Sequence, residues 1–175
     1  MSEPRVVLGP LADEDSEILF QWINDRDLVL HNAPFRPVDA ASHRDWYDAV
    51  RARHDVAIFA IRRASDHALI GTCQLHSIDP VHRSAELQIR IGDQAECGRG
   101  YGTEAVRMLL QHAFRDLGLN RVSLRVFANN DRAVRAYAKA GFTREGVLRE
   151  AAYIDGRFVD VLAMAILSRE YECDG

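Results

Sequence analysis

The chain has 175 residues, 47% of them hydrophobic and 27% charged, with a formal charge of −4. That length predicts one domain, 1–175, with a sizeable core, and the composition excludes a disordered chain. No basic block marks nucleic acid as a partner, and no apolar run approaches the ~20 residues of a membrane span, so neither is expected.

Met1–Arg5 lacks the charged and apolar regions of a secretory signal. Cys73, Cys97 and Cys173 are an odd set without metal-ligand spacing, so no metal and a reduced, cytoplasmic setting are expected.

In chain order, Arg5–Gly9 reads as a short strand. Asp13–Asn24 carries Ile18, Leu19, Trp22 and Ile23 at helical spacing, with Asp13 as N-cap. Asp25–Asp39, broken by Pro34 and Pro37, reads as a loop or broken helix, and Ser42 caps a helix running to about Arg53. Val56–Arg63 and Leu69–His76 flank the turn Ala64–His67 and form a hairpin. Arg83–Ile91 is a strand in which Glu86, Gln88 and Arg90 alternate with Leu87, Ile89 and Ile91. A helix over Gly100–Leu117 places Val106, Leu109, Leu110, Ala113, Phe114 and Leu117 on one stripe, ended by Gly118. Arg121–Phe127 is a strand, and Asn130–Ala140 is a helix stopped by Gly141. Phe142–Arg149 and Phe158–Leu167 are closing strands joined through Tyr153-Ile154-Asp155-Gly156. This order predicts an α/β (α+β) fold, a mixed and mostly antiparallel sheet with helices on both faces.

The most informative stretch is Cys97–Ala105, where Gly98, Gly100 and Gly102 alternate between a strand and a helix. A glycine-rich turn opening a helix presents unpaired N–H groups at the positive end of the dipole, an anion site suited to a phosphate or diphosphate. An ordinary tight turn would need fewer glycines. The spacing fits neither the P-loop, since the chain has no Lys-Ser or Lys-Thr pair, nor the dinucleotide fingerprint, nor a kinase loop. A second constellation runs from Asn129 to Phe142, where Asn130 caps a helix and Tyr137 lies two turns along on the same face. Two polar groups on one face can address one extended ligand; a capped helix with a core tyrosine accounts for the same residues.

Together, the glycine loop and the Asn-x-x-Ala-x-x-x-Tyr-x-x-x-Gly-Phe run resemble the GNAT (Gcn5-related) N-acetyltransferase superfamily. The resemblance is nearest to the branch of ribosomal-protein N-terminal and spermidine N-acetyltransferases, and it covers Arg5 to Leu167. It implies acetyl-CoA as co-substrate and a sheet splayed at its site. It places the diphosphate on Cys97, Gly98, Arg99, Gly100, Tyr101, Gly102 and Thr103, and the pantetheine arm along Ile89, Arg90 and Ile91 like an added strand. Asn130 then bonds the pantetheine region. Tyr137 protonates the departing thiolate, while a strand N–H holds the oxyanion. The family motif carries Gln or Arg where this chain has Cys97, a change that leaves backbone anion binding intact.

An amine nucleophile must lose a proton, and Glu86 is the candidate base, with an exposed or Arg-paired carboxylate as the plain alternative. His76 and His82 are other candidates. The acceptor is expected to be a primary amine of a peptide N-terminus or a small molecule. Where spermidine enzymes carry an acidic pair, His31–Pro37 offers Arg36 and no acid, which counts against a polyamine. Trp22, Phe35, Trp46, Tyr47 and Tyr153 are candidates to line the acceptor pocket, although aromatics in the first helices also serve as core. The branch implied includes homodimers. A non-catalytic acyl-CoA sensor is the competing reading, and the pairing of Tyr137 with Glu86 favours the enzyme.

Overall fold

Alternating apolar residues and the turns between them build a seven-stranded sheet, seen in a computed structural model that describes residues 3–171. Met1, Ser2 and Cys173, which entered the sequence reading, lie outside the described residues. The strands are β1 (Val6–Gly9), β2 (Ala57–Arg63), β3 (Leu69–Asp79), β4 (Ser84–Ile91), β5 (Arg121–Phe127), β6 (Thr143–Ile154) and β7 (Arg157–Leu167). Their order is β1-β2-β3-β4-β5-β7-β6, antiparallel throughout except for the parallel pair β4–β5.

That parallel pair positions the site. Only Ser84–Glu86 and Arg121–Ser123 are in register. Beyond Glu86, β4 stays bonded to β3 as far as Ile91, and β5 stays bonded to β7 as far as Phe127. Each strand thus follows its outer neighbour, and the two part company. The expected splay is present, and among the described residues it leaves the edge Leu87–Ile91 of β4 without a strand partner on that side.

The helices are α1 (Asp15–Ile23), α2 (Arg26–Val29), α3 (Ala40–Ala52), α4 (Tyr101–Gln111), α5 (Asp131–Lys139) and α6 (Ser168–Tyr171). They cover both faces, as adjacent residues of β2 demonstrate. Ala60 packs with Leu11, Leu19 of α1 and Tyr47 of α3, whereas Ile61 packs with Leu109 and Leu110 of α4. The α4 side holds the larger core. Ile61, Leu75, Leu109, Leu110, Leu124 and Ile166 are fully buried there, each stabilising the fold by roughly 1.5–3 kcal/mol.

Three local expectations are corrected. Asp13 does not cap α1; it pairs with Arg51 at 2.7 Å, and the buried Asp15 accepts from Ala12 N and pairs with Arg62 instead. α3 begins before Ser42, because Asp39 is the cap and its carboxylate accepts from both Ser42 N and Ser42 Oγ. Leu117 leaves the apolar stripe. A π turn over His112–Asp116, closed by Leu117 N donating to His112 O at 3.0 Å, rotates the helix end. Leu117 is therefore 40% exposed, and Leu119 enters the core in its place.

Candidate active site

After β4 the chain makes a 3-10 turn, Gln94–Glu96, capped by Asp93. Cys97 N donates to Gln94 O, so its amide is already paired, and the free amides begin one residue later. Gly98 and Gly100 have φ of +77° and +83°, the left-handed region that side chains avoid. Gly102 is helical and sits in the first turn of α4. Among the described residues, no protein acceptor meets the N–H groups of Gly98 to Thr103. These amides crowd at the positive end of α4 and suit an anion.

A strap that sequence reading missed fixes this loop. Glu104 Oε1 accepts from Arg5 N (2.6 Å) and Val6 N (3.3 Å), and its Oε2 accepts from Arg5 Nε (3.1 Å). Arg5 Nη1 also donates to Arg99 O at 2.8 Å, tying β1 to the loop. Only the sign of the two charges hints at this contact; their separation of 99 positions hides it.

A groove of about 240 Å3 runs from the loop between β4 and α5. Ile89, Arg90 and Ile91 of β4 line it, as do Cys97, Gly98, Gly100, Gly102 and Thr103. Asn130 and Tyr137 face it from α5. Arg99 and Tyr101 are not on its wall. The Arg99 carbonyl accepts from Arg5, and the Tyr101 ring lies 5.9 Å from the Arg5 guanidinium. Arg132, Arg135 and Lys139 line the groove as well, without an acidic partner among the described residues. Their spacing of three and then four puts them on one helical face, a signal that was legible in the sequence. Asn130 caps α5 by accepting from Ala133 N (3.2 Å), and its Nδ2 donates to His31 O at 3.2 Å.

Tyr137 is 7% exposed, and burial pushes its phenol up to about 12. Its ring packs edge-on against Phe142, and its hydroxyl has no hydrogen-bond partner among the described residues. Tyr137 and Glu86 line a second cavity, of about 290 Å3, that also contains His76. Glu86 stands opposite His76 on β3 and Ser123 on β5, at the last register pair before the splay. His82 is elsewhere, in a turn where its amide donates to Asp79.

Of the candidate acceptor aromatics, Trp22 and Trp46 line a third cavity of about 410 Å3 between the sheet and α1 and α3. Tyr47 is core, 3% exposed, with its hydroxyl donating to Ala12 O. Tyr153 is exposed and packs at a tilt against Phe158, and Phe35 lines none of the three cavities. No helix among the described residues is long and apolar enough to cross a membrane. No three His, Cys, Asp or Glu side chains among them gather as metal ligands.

The sequence pattern of the acetyltransferase (GNAT) domain matches residues 5–143. The spermidine N(1)-acetyltransferase of Escherichia coli K12 is 30% identical over 97% of this chain and 90% of its own length. The N-acetyltransferase p20 of Bacillus licheniformis is 29% identical over 95% of both chains. The crystal structure of the Vibrio cholerae spermidine N-acetyltransferase with CoA and spermine superposes with a TM-score of 0.90 at 29% identity, covering 97% of this chain and 99% of that one. The free amides at α4, the unpartnered β4 edge and the connecting groove fit an acyl-CoA, with one end for phosphates and an extended backbone for its amides. The chain belongs to the GNAT acetyltransferase family, and it is an acetyl-CoA-dependent N-acetyltransferase whose acceptor is an amine.

Proposed function

We propose that a primary amine, of a peptide N-terminus or a small molecule, attacks acetyl-CoA directly in the gap between β4 and β5. One observation carries this: Glu86 and Tyr137 line a single cavity where the strands part, and Tyr137 also lines the groove of free amides.

In this reading the amides of Gly98–Thr103 hold the diphosphate, the edge Ile89–Ile91 pairs with the pantetheine arm, and Asn130 orients it. Bound acetyl-CoA supplies an acyl carbon with a good leaving group. Glu86 takes the proton from the amine, directly or through a water, and an N–H of β4 stabilises the developing oxyanion. Tyr137, kept protonated by burial, gives its proton to the departing thiolate. Spermidine, named for several relatives, suits this chain poorly, because the loop His31–Pro37 offers Arg36 and no carboxylate.

We take residues 1–175 as one domain working in the cytoplasm as a homodimer. Exposed Val147, Leu148, Tyr153 and Phe158 on the β6–β7 edge support pairing of copies, and sedimentation velocity tests it. The chemistry is tested by thiol release from acetyl-CoA against a panel of small amines, polyamines and peptide N-termini. Release with peptide or small primary amines exceeding that with polyamines is expected. Tight acetyl-CoA binding with no release across the panel would refute the reading.

A further inference from the structure

The sheet face turned away from α4 carries polar side chains that the proposed chemistry leaves unused. Cross-strand neighbours share a face. The pairs Ala60–Thr72 and Thr72–Arg90, with Ile58–Gln74 and Gln74–Gln88, therefore put Thr72, Gln74, Gln88 and Arg90 on the side of α1 and α3. The pair His76–Glu86 extends this row to the splay. Gln74 Nε2 donates to Gln88 Oε1, closing the middle of the floor.

Between this floor and the two helices lies the cavity of about 410 Å3, walled by Trp22, Ile23 and Trp46. Trp22 is packed so closely on Gly92 that a Cβ there would come within 2.0 Å of its ring, so the wall is fixed. Gln88 and Ile89 line both this cavity and the one holding Glu86 and Tyr137, so the two adjoin.

Arg90, which lines both this cavity and the groove, carries a side chain to which the proposed chemistry gives no role. The arginines of β2 are paired, Arg62 with Asp15 and Arg63 with Asp66 and Glu96. Arg90 is half-buried, and no acid or hydrogen-bond acceptor meets it among the described residues. Burial lowers its pKa, as for a cation without a counterion, although a guanidinium stays charged. A desolvated, unpaired cation costs free energy that an anionic ligand would offset.

Building on the amine-acetylation reading, we infer that this cavity is the specificity pocket for the acceptor. It takes a carboxylate on Arg90 and an apolar body against Trp22 and Trp46, with the amine at Glu86. Four residues of strand separate Glu86 from Arg90, about 13 Å, and the side chains reach inward to shorten that span. An amine and a carboxylate about 10 Å apart fit, which is the length of an extended tripeptide. A polyamine would instead place an ammonium group beside Arg90.

Both tryptophans of the chain line this cavity, so intrinsic fluorescence reports occupancy without turnover. The protein is titrated, without acetyl-CoA, with an apolar tripeptide, its C-terminal amide and spermidine; thiol release with the same compounds is measured separately. The free carboxylate should bind about tenfold tighter than the amide, as expected for one charge-assisted contact. Arg90→Gln should erase that difference, and Arg90→Lys should keep part of it. Equal binding of acid and amide, tighter binding of spermidine, or discrimination surviving in Arg90→Gln would each overturn the assignment. Discriminating binding with no thiol release would uphold the pocket and refute transfer to this class of amine.

Discussion

Replacing the three loop glycines by alanine separates stability from cofactor binding. At Gly100 a side chain would adopt φ +83° at a cost of about 1–2 kcal/mol. Its Cβ would lie 2.8 Å from Arg5 Nη2 and 3.3 Å from Nη1, so Arg5 must leave Arg99 O and loosen from Glu104. Because Arg5 is more than half exposed, that loss is modest, and the total is about 2–3 kcal/mol. Gly100→Ala should lower Tm by about 8 °C, at 2–4 °C per kcal/mol for a chain of this size. Gly98→Ala meets no atom within 4 Å and carries only the conformational cost, about half that drop. Gly102→Ala is different. It is helical, its Cβ makes ordinary contact with Ile91 Cγ1 at 3.9 Å, and alanine favours the helix by up to about 1 kcal/mol. Its methyl nevertheless stands on the groove wall beside the free amides. Losing one contact to a charged phosphate raises KM for acetyl-CoA about tenfold. Thermal melts and thiol-release kinetics on the three variants should therefore show Tm falling at Gly100 and holding or rising at Gly102 while KM climbs. An unchanged Tm in Gly100→Ala, or an unchanged KM in Gly102→Ala, would refute this account of the loop.

Glu86→Gln should lower kcat about a hundredfold with little change in KM for acetyl-CoA; an effect on KM alone would remove Glu86 as the base. Because burial raises the Tyr137 phenol to about 12, the rate should hold to about pH 10, the ordinary tyrosine value, and a falling limb well below that would contradict the assignment. Cys97 lines the groove, whereas burial pushes the Cys73 thiol up to about 12. Alkylation followed by mass spectrometry should modify Cys97 and leave Cys73 untouched, and acetyl-CoA should protect Cys97. Leu109→Ala, at a fully buried core position, should cost about 3 kcal/mol in denaturant melts.

What was legible in the chain followed local physics. Arg121–Phe127 reads as a strand to the residue because its alternation and its flanking turns agree. The glycine loop and the Asn130 cap are likewise read from short-range rules, and the structure has both where expected. The illegible parts depended on distance or on a competing local contact. Asp39 outcompetes Ser42 because its carboxylate accepts two hydrogen bonds from that serine. The π turn that expels Leu117 is closed by a backbone bond from Leu117 N to His112 O, five residues back, that an α-helical periodicity cannot register. The Arg5–Glu104 strap joins residues 99 positions apart, and the row ending in Arg90 takes its meaning from the register of three strands.

The central claim is that buried Tyr137 delivers the proton that frees the thiolate at the splay of β4 and β5. Steady-state kinetics of Tyr137→Phe test it most directly, since the ring and its packing on Phe142 are kept and only the hydroxyl is lost. The account predicts kcat down about a hundredfold with KM for acetyl-CoA within about twofold. A variant that turns over like the parent enzyme would contradict it.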